Sequence, residues 1–175
     1  MSKFFSKLVD DQLIEKWVDT LDWLFDDNKF SKSAGWNGGH VATFTKAVKR
    51  LPYFSEKNYH YGKSEDIIFP QIREKFCIPT FYMHKGECEG RDLVRHIRNG
   101  IAHGRTSFYK VESELYIQIC DFGKEGNKSA NRQTAFLAIP MSYIPAICKL
   151  YMDREKAMKN TKKLKRRKNH EAARL

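Results

Sequence analysis

The chain has 175 residues, of which 41% are hydrophobic, 13% aromatic and 30% charged, with a formal net charge of +11. That composition excludes disordered and collagen-like chains, and the length suits a single domain able to bury a substantial core. The charge is uneven: residues 154–175 hold ten Lys or Arg against Glu155 and Glu171, a local +8, leaving +3 for everything before them.

No sustained apolar segment accompanies Lys3 and Lys7 at the N-terminus, and no run approaches the roughly 20 apolar residues of a membrane span. A cytoplasmic protein with no membrane partner is expected. The four cysteines, Cys77, Cys88, Cys120 and Cys148, show neither Cys-x-x-Cys pairing nor a neighbouring His at zinc-ligand spacing. They read as reduced thiols, and neither metal nor cofactor is expected.

Asp10 and Asp11 offer a helix N-cap, after which Leu13, Ile14, Trp17, Val18, Leu21, Leu24 and Phe25 recur at helical spacing to about Asn28. An aromatic row at that spacing reads as core. Residues 31–39 form a Ser- and Gly-containing linker around Trp36, and a second helix follows from His40 through Val41, Phe44, Ala47, Val48 and Leu51, stopped by Pro52. Between residues 53 and 66, Tyr53, Phe54, Tyr59, His60 and Tyr61 lie close to Lys57 and Lys63. Aromatics among cations serve single-stranded RNA by stacking and phosphate contact; the alternative is a loop that packs its rings on the body. Residues 67–76 suit a short helix with Pro70 in its first turn, residues 77–90 look irregular, and His40, His60 and His84 read as exposed or structural.

The densest chemistry lies between Arg91 and Arg105. On a helix, Leu93, Val94, Ile97 and Ile101 fall in one arc of about 100°, a normal core-facing stripe. Asp92, Arg95, His96, Asn99 and His103 fall opposite and predict a solvent-facing, titratable face. Gly104 stands where a C-cap glycine is expected, which puts His103 in the accessible last turn.

Arg98-Asn99-Gly100-Ile101-Ala102-His103 resembles the R-x4-6-H signature of HEPN (higher-eukaryote and prokaryote nucleotide-binding) domains, in which a polar residue commonly follows the Arg. The resemblance covers about a dozen residues, with a loose match of helical order from about residue 10 to 150. It implies an all-α bundle, often dimeric, whose Arg and His form a metal-independent ribonuclease site, in many members a toxin or antiviral effector held by an antitoxin or other regulatory protein.

The residues suit that chemistry independently. Metal-free RNA cleavage needs proton transfer at the 2′-hydroxyl and the 5′-oxygen, and a fixed cation on the phosphoryl oxygens. His103 fits the first task, with an imidazole that holds both protonation states near neutral pH. Arg98 fits the second as a permanently charged bidentate donor, and Asn99 can orient His103 or bind phosphate. On an ideal helix Arg98 and His103 point about 140° apart, so the helix must fray near Gly104 or a two-fold partner must complete the site. Arg95, His96 and Arg105 are candidates for neighbouring phosphates.

After the motif the period changes. Residues 106–111 and 114–120 read as a hairpin turning at Glu112-Ser113, residues 121–132 as a charged loop, and residues 133–139 as a third strand. A last helix starts at Pro140 or Ser142 and runs through Tyr143, Ile144, Ile147, Cys148 and Tyr151. Beyond it Lys162, Lys163, Lys165, Arg166, Arg167 and Lys168 put six cations in seven residues, which suits RNA attraction, a solvated tail or a nuclear-localisation signal.

The fold expected is therefore mainly α: a HEPN-like helical bundle over residues 1–153, with the motif helix at about 89–104 and a small β-hairpin or three-stranded sheet inserted at about 106–139, then a basic tail over 154–175. The leading function is a metal-independent endoribonuclease with RNA as substrate, leaving 2′,3′-cyclic phosphate and 5′-hydroxyl ends. The alternatives are a non-catalytic RNA- or nucleotide-binding module, or a dimerising interaction protein.

Overall fold

The computed structural model describes residues 11–26, 45–71, 74–86, 89–124 and 131–172. The linker with Trp36, His40, Cys88 and the tip of the 121–132 loop lie outside the described residues. In chain order the elements are α1 (Asp11–Phe25), β1 (Tyr59–Gly62), β2 (Thr80–His84), α2 (Glu89–Ala102), β3 (Thr106–Val111), β4 (Glu114–Lys124), β5 (Asn131–Pro140) and α3 (Tyr143–Ala172).

The centre of the molecule is a five-stranded mixed sheet, in the order β1-β2-β5-β4-β3, which corrects the mainly α bundle with an inserted hairpin. The predicted hairpin is there, with Val111 opposite Glu114 across a two-residue turn, and so is the third strand. They are not an insertion, however. β5 runs antiparallel to both β4 and β2, and β2 runs parallel to β1, so the later strands join a pair that precedes the motif helix. Two reasons hid this pair. β1 and β2 are four and five residues long, too short for a period-two pattern to emerge, and β2 meets β5 across more than fifty residues, which no local pattern shows.

One face of the sheet carries the helices. Phe81, Met83, Ile117, Ile119, Leu137 and Ile139 meet Leu93, Val94 and Ile97 of α2 and Ile144, Ile147 and Tyr151 of α3 in one buried cluster. Each of these side chains contributes about 1.5–3 kcal/mol. Trp23 of α1 lies 5.5 Å from the Tyr151 ring, and Trp17 Nε1 donates to the Met141 carbonyl at 3.1 Å, which seats α1 on α3. The outward stripe of α1 is not core, because Ile14, Val18 and Phe25 are exposed.

The opposite face is covered by the segment expected to be a short helix. Its described residues are extended and turned, because the strands take its backbone groups. Gln118 Nε2 donates to the Glu74 carbonyl, the Tyr109 hydroxyl accepts from Phe76 N–H and donates to its carbonyl, and the Tyr116 hydroxyl donates to the Cys77 carbonyl. Phe69 and Phe76 pack with Tyr82, Phe122 and Phe136 below them. Of the second helix, residues 45–48 form a single helical turn.

Candidate nucleic-acid interface

α2 forms where its apolar stripe predicts, with Leu93, Val94 and Ile97 fully buried and acidic residues in its first turn. Its end is a Schellman motif. Gly104 adopts φ +62°, Arg105 N–H bonds the Gly100 carbonyl at 2.9 Å, and Gly104 N–H bonds the Ile101 carbonyl at 3.1 Å. The helix does not fray. Gly100 lets α2 lie close on β4, since a Cβ there would overlap the Ile119 side chain.

The polar stripe of α2 is not a solvent face. Asp92 and His96 are buried, at 2% and 1% exposure. Asp92 accepts from the Tyr61 hydroxyl at 2.8 Å, Gly86 N–H at 2.8 Å and Arg95 Nη2 at 3.2 Å. Asp121, buried on β4, gathers His96 Nδ1 at 2.7 Å and Asn99 Nδ2 at 3.2 Å on Oδ2, and Phe122 N–H at 2.9 Å on Oδ1. A carboxylate only accepts, so His96 carries its proton on Nδ1; its Nε2 is buried without a hydrogen-bond partner. A polar helix face is buried where the neighbouring sheet supplies matching polar groups. Asp121 and Tyr61 supply them here; the sequence marked Tyr61 only as a candidate stacking ring and Asp121 only as the start of a charged loop. The one available signal was an acidic residue directly after the strand pattern of residues 114–120.

The three expected catalytic residues point three ways. Arg98 Nε donates to the Leu24 carbonyl at 2.9 Å, with its guanidinium 6.0 Å from the Phe25 ring. It satisfies a carbonyl that the end of α1 leaves without an intrahelical partner. Asn99 turns to Asp121 rather than to His103. His103, at the C-cap, is exposed. The structure thus seats the positioning groups in the body and leaves the imidazole outside.

Among the expected phosphate ligands, His96 is withdrawn into the core. Arg95 is partly exposed and paired with Asp92. Arg105 lays its guanidinium 4.9 Å from the Phe122 ring, with Nη1 buried and lacking a hydrogen-bond partner. The basic segment from residue 154 continues α3, which is one helix of 30 residues. Among its described side chains the last buried one is Tyr151, and the portion from residue 154 to 172 extends about 28 Å at the usual helical rise. Lys156, Lys163, Lys165 and Arg166 are exposed on it; of the side chains of Lys162, Arg167 and Lys168 nothing is described.

The aromatic run of residues 53–61 divides. Phe54 and Tyr59 pack on Phe81, at 6.0 and 5.3 Å between ring centroids. Burial, then the Glu89 carboxylate, push the Tyr59 phenol well above its ordinary range, and burial with the Asp92 hydrogen bond does the same to Tyr61. These are structural rings. Tyr53 alone is strongly exposed, at 73%.

Among the described residues no group of three or more His, Cys, Asp or Glu side chains is arranged to hold a metal ion, and no helix is long and apolar enough to cross a membrane. Comparison with protein-family models, curated proteins and solved structures finds no match to this chain. The resemblance carried by Arg98–His103 therefore rests on those residues, and the central sheet is not the all-α bundle that it implies.

Proposed function

We propose that this protein is a cytoplasmic RNA-binding module whose affinity comes from the basic half of α3. The observation that carries the reading is the course of that helix. It is anchored in the core at Tyr151 and runs on as helix to Ala172, and the stretch beyond residue 153 carries most of the chain's net positive charge. A rod of cations attracts a phosphate backbone with little regard to sequence, and binding releases counterions.

If the six cations of residues 162–168 each neutralise one phosphate of a single strand, the logarithmic salt slope is about −4, so affinity falls roughly 300-fold between 50 and 200 mM salt. Fluorescence anisotropy of a labelled single-stranded RNA across a salt series reads that slope. The combined variant Lys163→Gln, Lys165→Gln, Arg166→Gln reduces it by about 2. Unchanged affinity in that variant sinks the reading.

A second reading, metal-independent cleavage, rests on the exposure of His103. An imidazole alone supplies proton transfer, worth roughly 10²–10⁴ in rate, and Arg98 is committed to Leu24. The chain would then be a slow endoribonuclease. Incubation with RNA in EDTA, beside His103→Ala, decides it: new 2′,3′-cyclic phosphate ends that vanish in the variant establish cleavage, and intact RNA with retained binding leaves the binding module.

A further inference from the structure

A cavity of about 560 Å³ opens at the turn end of the β3–β4 hairpin, far along the chain from the basic helix. Its walls include Tyr53, Lys75, Tyr109, Lys110, Glu112 and Ser113. The volume falls in the range of small-molecule sites, and the lining combines aromatic rings with cations and with hydroxyl and carboxylate acceptors.

Two of the three tyrosines that line it, Tyr53 and Tyr109, differ in a useful way. Tyr109 is held rigidly, because its hydroxyl both accepts from and donates to the backbone of Phe76, at 3.2 and 3.0 Å. Tyr53 is 73% exposed and sits in the left-handed region at φ +60°, a conformation that a bulky residue rarely adopts and that glycine would take freely. An exposed aromatic held in an unfavourable backbone conformation at the mouth of a cavity contributes little to the core; strain of this kind gathers at ligand clamps. Lys75 and Lys110 are exposed at the same opening.

We infer that this cavity receives one nucleotide of a bound single-stranded RNA, with the base stacked on Tyr53 and the phosphate held between Lys75 and Lys110. The inference rests on the RNA-binding reading and adds a base-dependent contact to it. Stacking on an aromatic ring is tolerant of base identity, because every base has a π-face. Glu112 and Ser113 add acceptors for amino groups on the base edge.

The test compares a short single-stranded RNA with an abasic strand of equal length and charge, using the full chain and fluorescence anisotropy at physiological salt. The wild type is expected to prefer the base-bearing strand by roughly tenfold, the scale of one stacking contact. Tyr53→Ala and Tyr53→Gly are expected to lose that preference while binding the abasic strand as the wild type does; Tyr53→Phe is expected to keep it. Tyr53→Gly also relieves the backbone, so it folds at least as stably as the wild type, and its loss of preference is not a folding defect. Equal binding of both strands by the wild type, or an undiminished preference in Tyr53→Gly, overturns the pocket and spares the basic helix. Binding of neither strand overturns the RNA reading and this inference together.

Discussion

Asp121→Ala tests the buried network that takes His96 and Asn99 out of solvent. Three donors converge on that carboxylate, at 2.7 Å from His96 Nδ1, 3.2 Å from Asn99 Nδ2 and 2.9 Å from Phe122 N–H. Each donor left unpaired in a buried site costs about 1–3 kcal/mol. His96, at 1% exposure, bears its full share, whereas Asn99 is only partly buried and recovers some of its loss from water. The expected destabilisation is about 3–5 kcal/mol, from one fully buried donor and two partly buried donors left without their acceptor. Urea denaturation reads it as a fall of about 2 M in the midpoint, for a slope near 2 kcal/mol/M. Asp121→Asn keeps the shape and one acceptor oxygen, so it is expected to lose about half as much. RNA affinity at a temperature where the variant is folded should not change. An Asp121→Ala stability within about 0.5 kcal/mol of wild type, the scatter of ordinary surface substitutions, would refute the network.

Four further outcomes follow from single positions. Gly104→Ala, with φ +62° and no atom within 4 Å of the added Cβ, should cost about 1 kcal/mol of backbone strain alone, and Gly104→Asn less, read by thermal denaturation. Gly100→Ala forces its methyl into Ile119 on β4; overpacking costs about 1–3 kcal/mol against a helix-propensity gain of about 1, so a net loss is expected, and a stabilised variant would show that α2 and β4 are not in close contact. Peptide mapping after alkylation should find Cys77, exposed, modified in the native protein, and Cys148, buried with its thiol pushed up to about 12, modified only on unfolding. Finally, burial raises Cys148 and Tyr116 to about 12 from ordinary values of 9.0 and 10.0. The folded state holds these protons more tightly than the unfolded one, so their contribution is intact below about pH 9 and is lost as pH climbs towards 12. The urea midpoint should fall only over that alkaline range, with the onset moved up in Cys148→Ala; a fall that begins near neutrality would contradict it.

Much of α2 was legible in the chain. Leu93, Val94 and Ile97 face the core because their spacing matches the helical period, and Gly104 ends the helix because a left-handed C′ position favours a residue without Cβ. The β3–β4 turn at Glu112-Ser113 is likewise local, set by a change of period, and the helix expected from Pro140 or Ser142 begins at Tyr143, with Pro140 closing β5 instead. The uneven charge is a property of the sequence itself, and so is the attraction to polyanions proposed from it.

Which way the polar side chains of α2 point was not legible. Asp92, His96 and Asn99 lie opposite the apolar stripe in any helical projection, and projection alone places them in water. Tyr61 precedes Asp92 by 31 positions and Asp121 follows His96 by 25. These partners reach α2 because β1 and β4 belong to the same sheet. That sheet forms through pairing between β2 and β5, more than fifty residues apart; β5 was legible as a strand, but its partner β2 is too short to announce itself. Local periodicity determined that there is a helix from Glu89 and where it ends; long-range strand pairing decided that His96 is buried and Asn99 half-buried against Asp121, that Arg98 caps α1, and that His103 is left exposed.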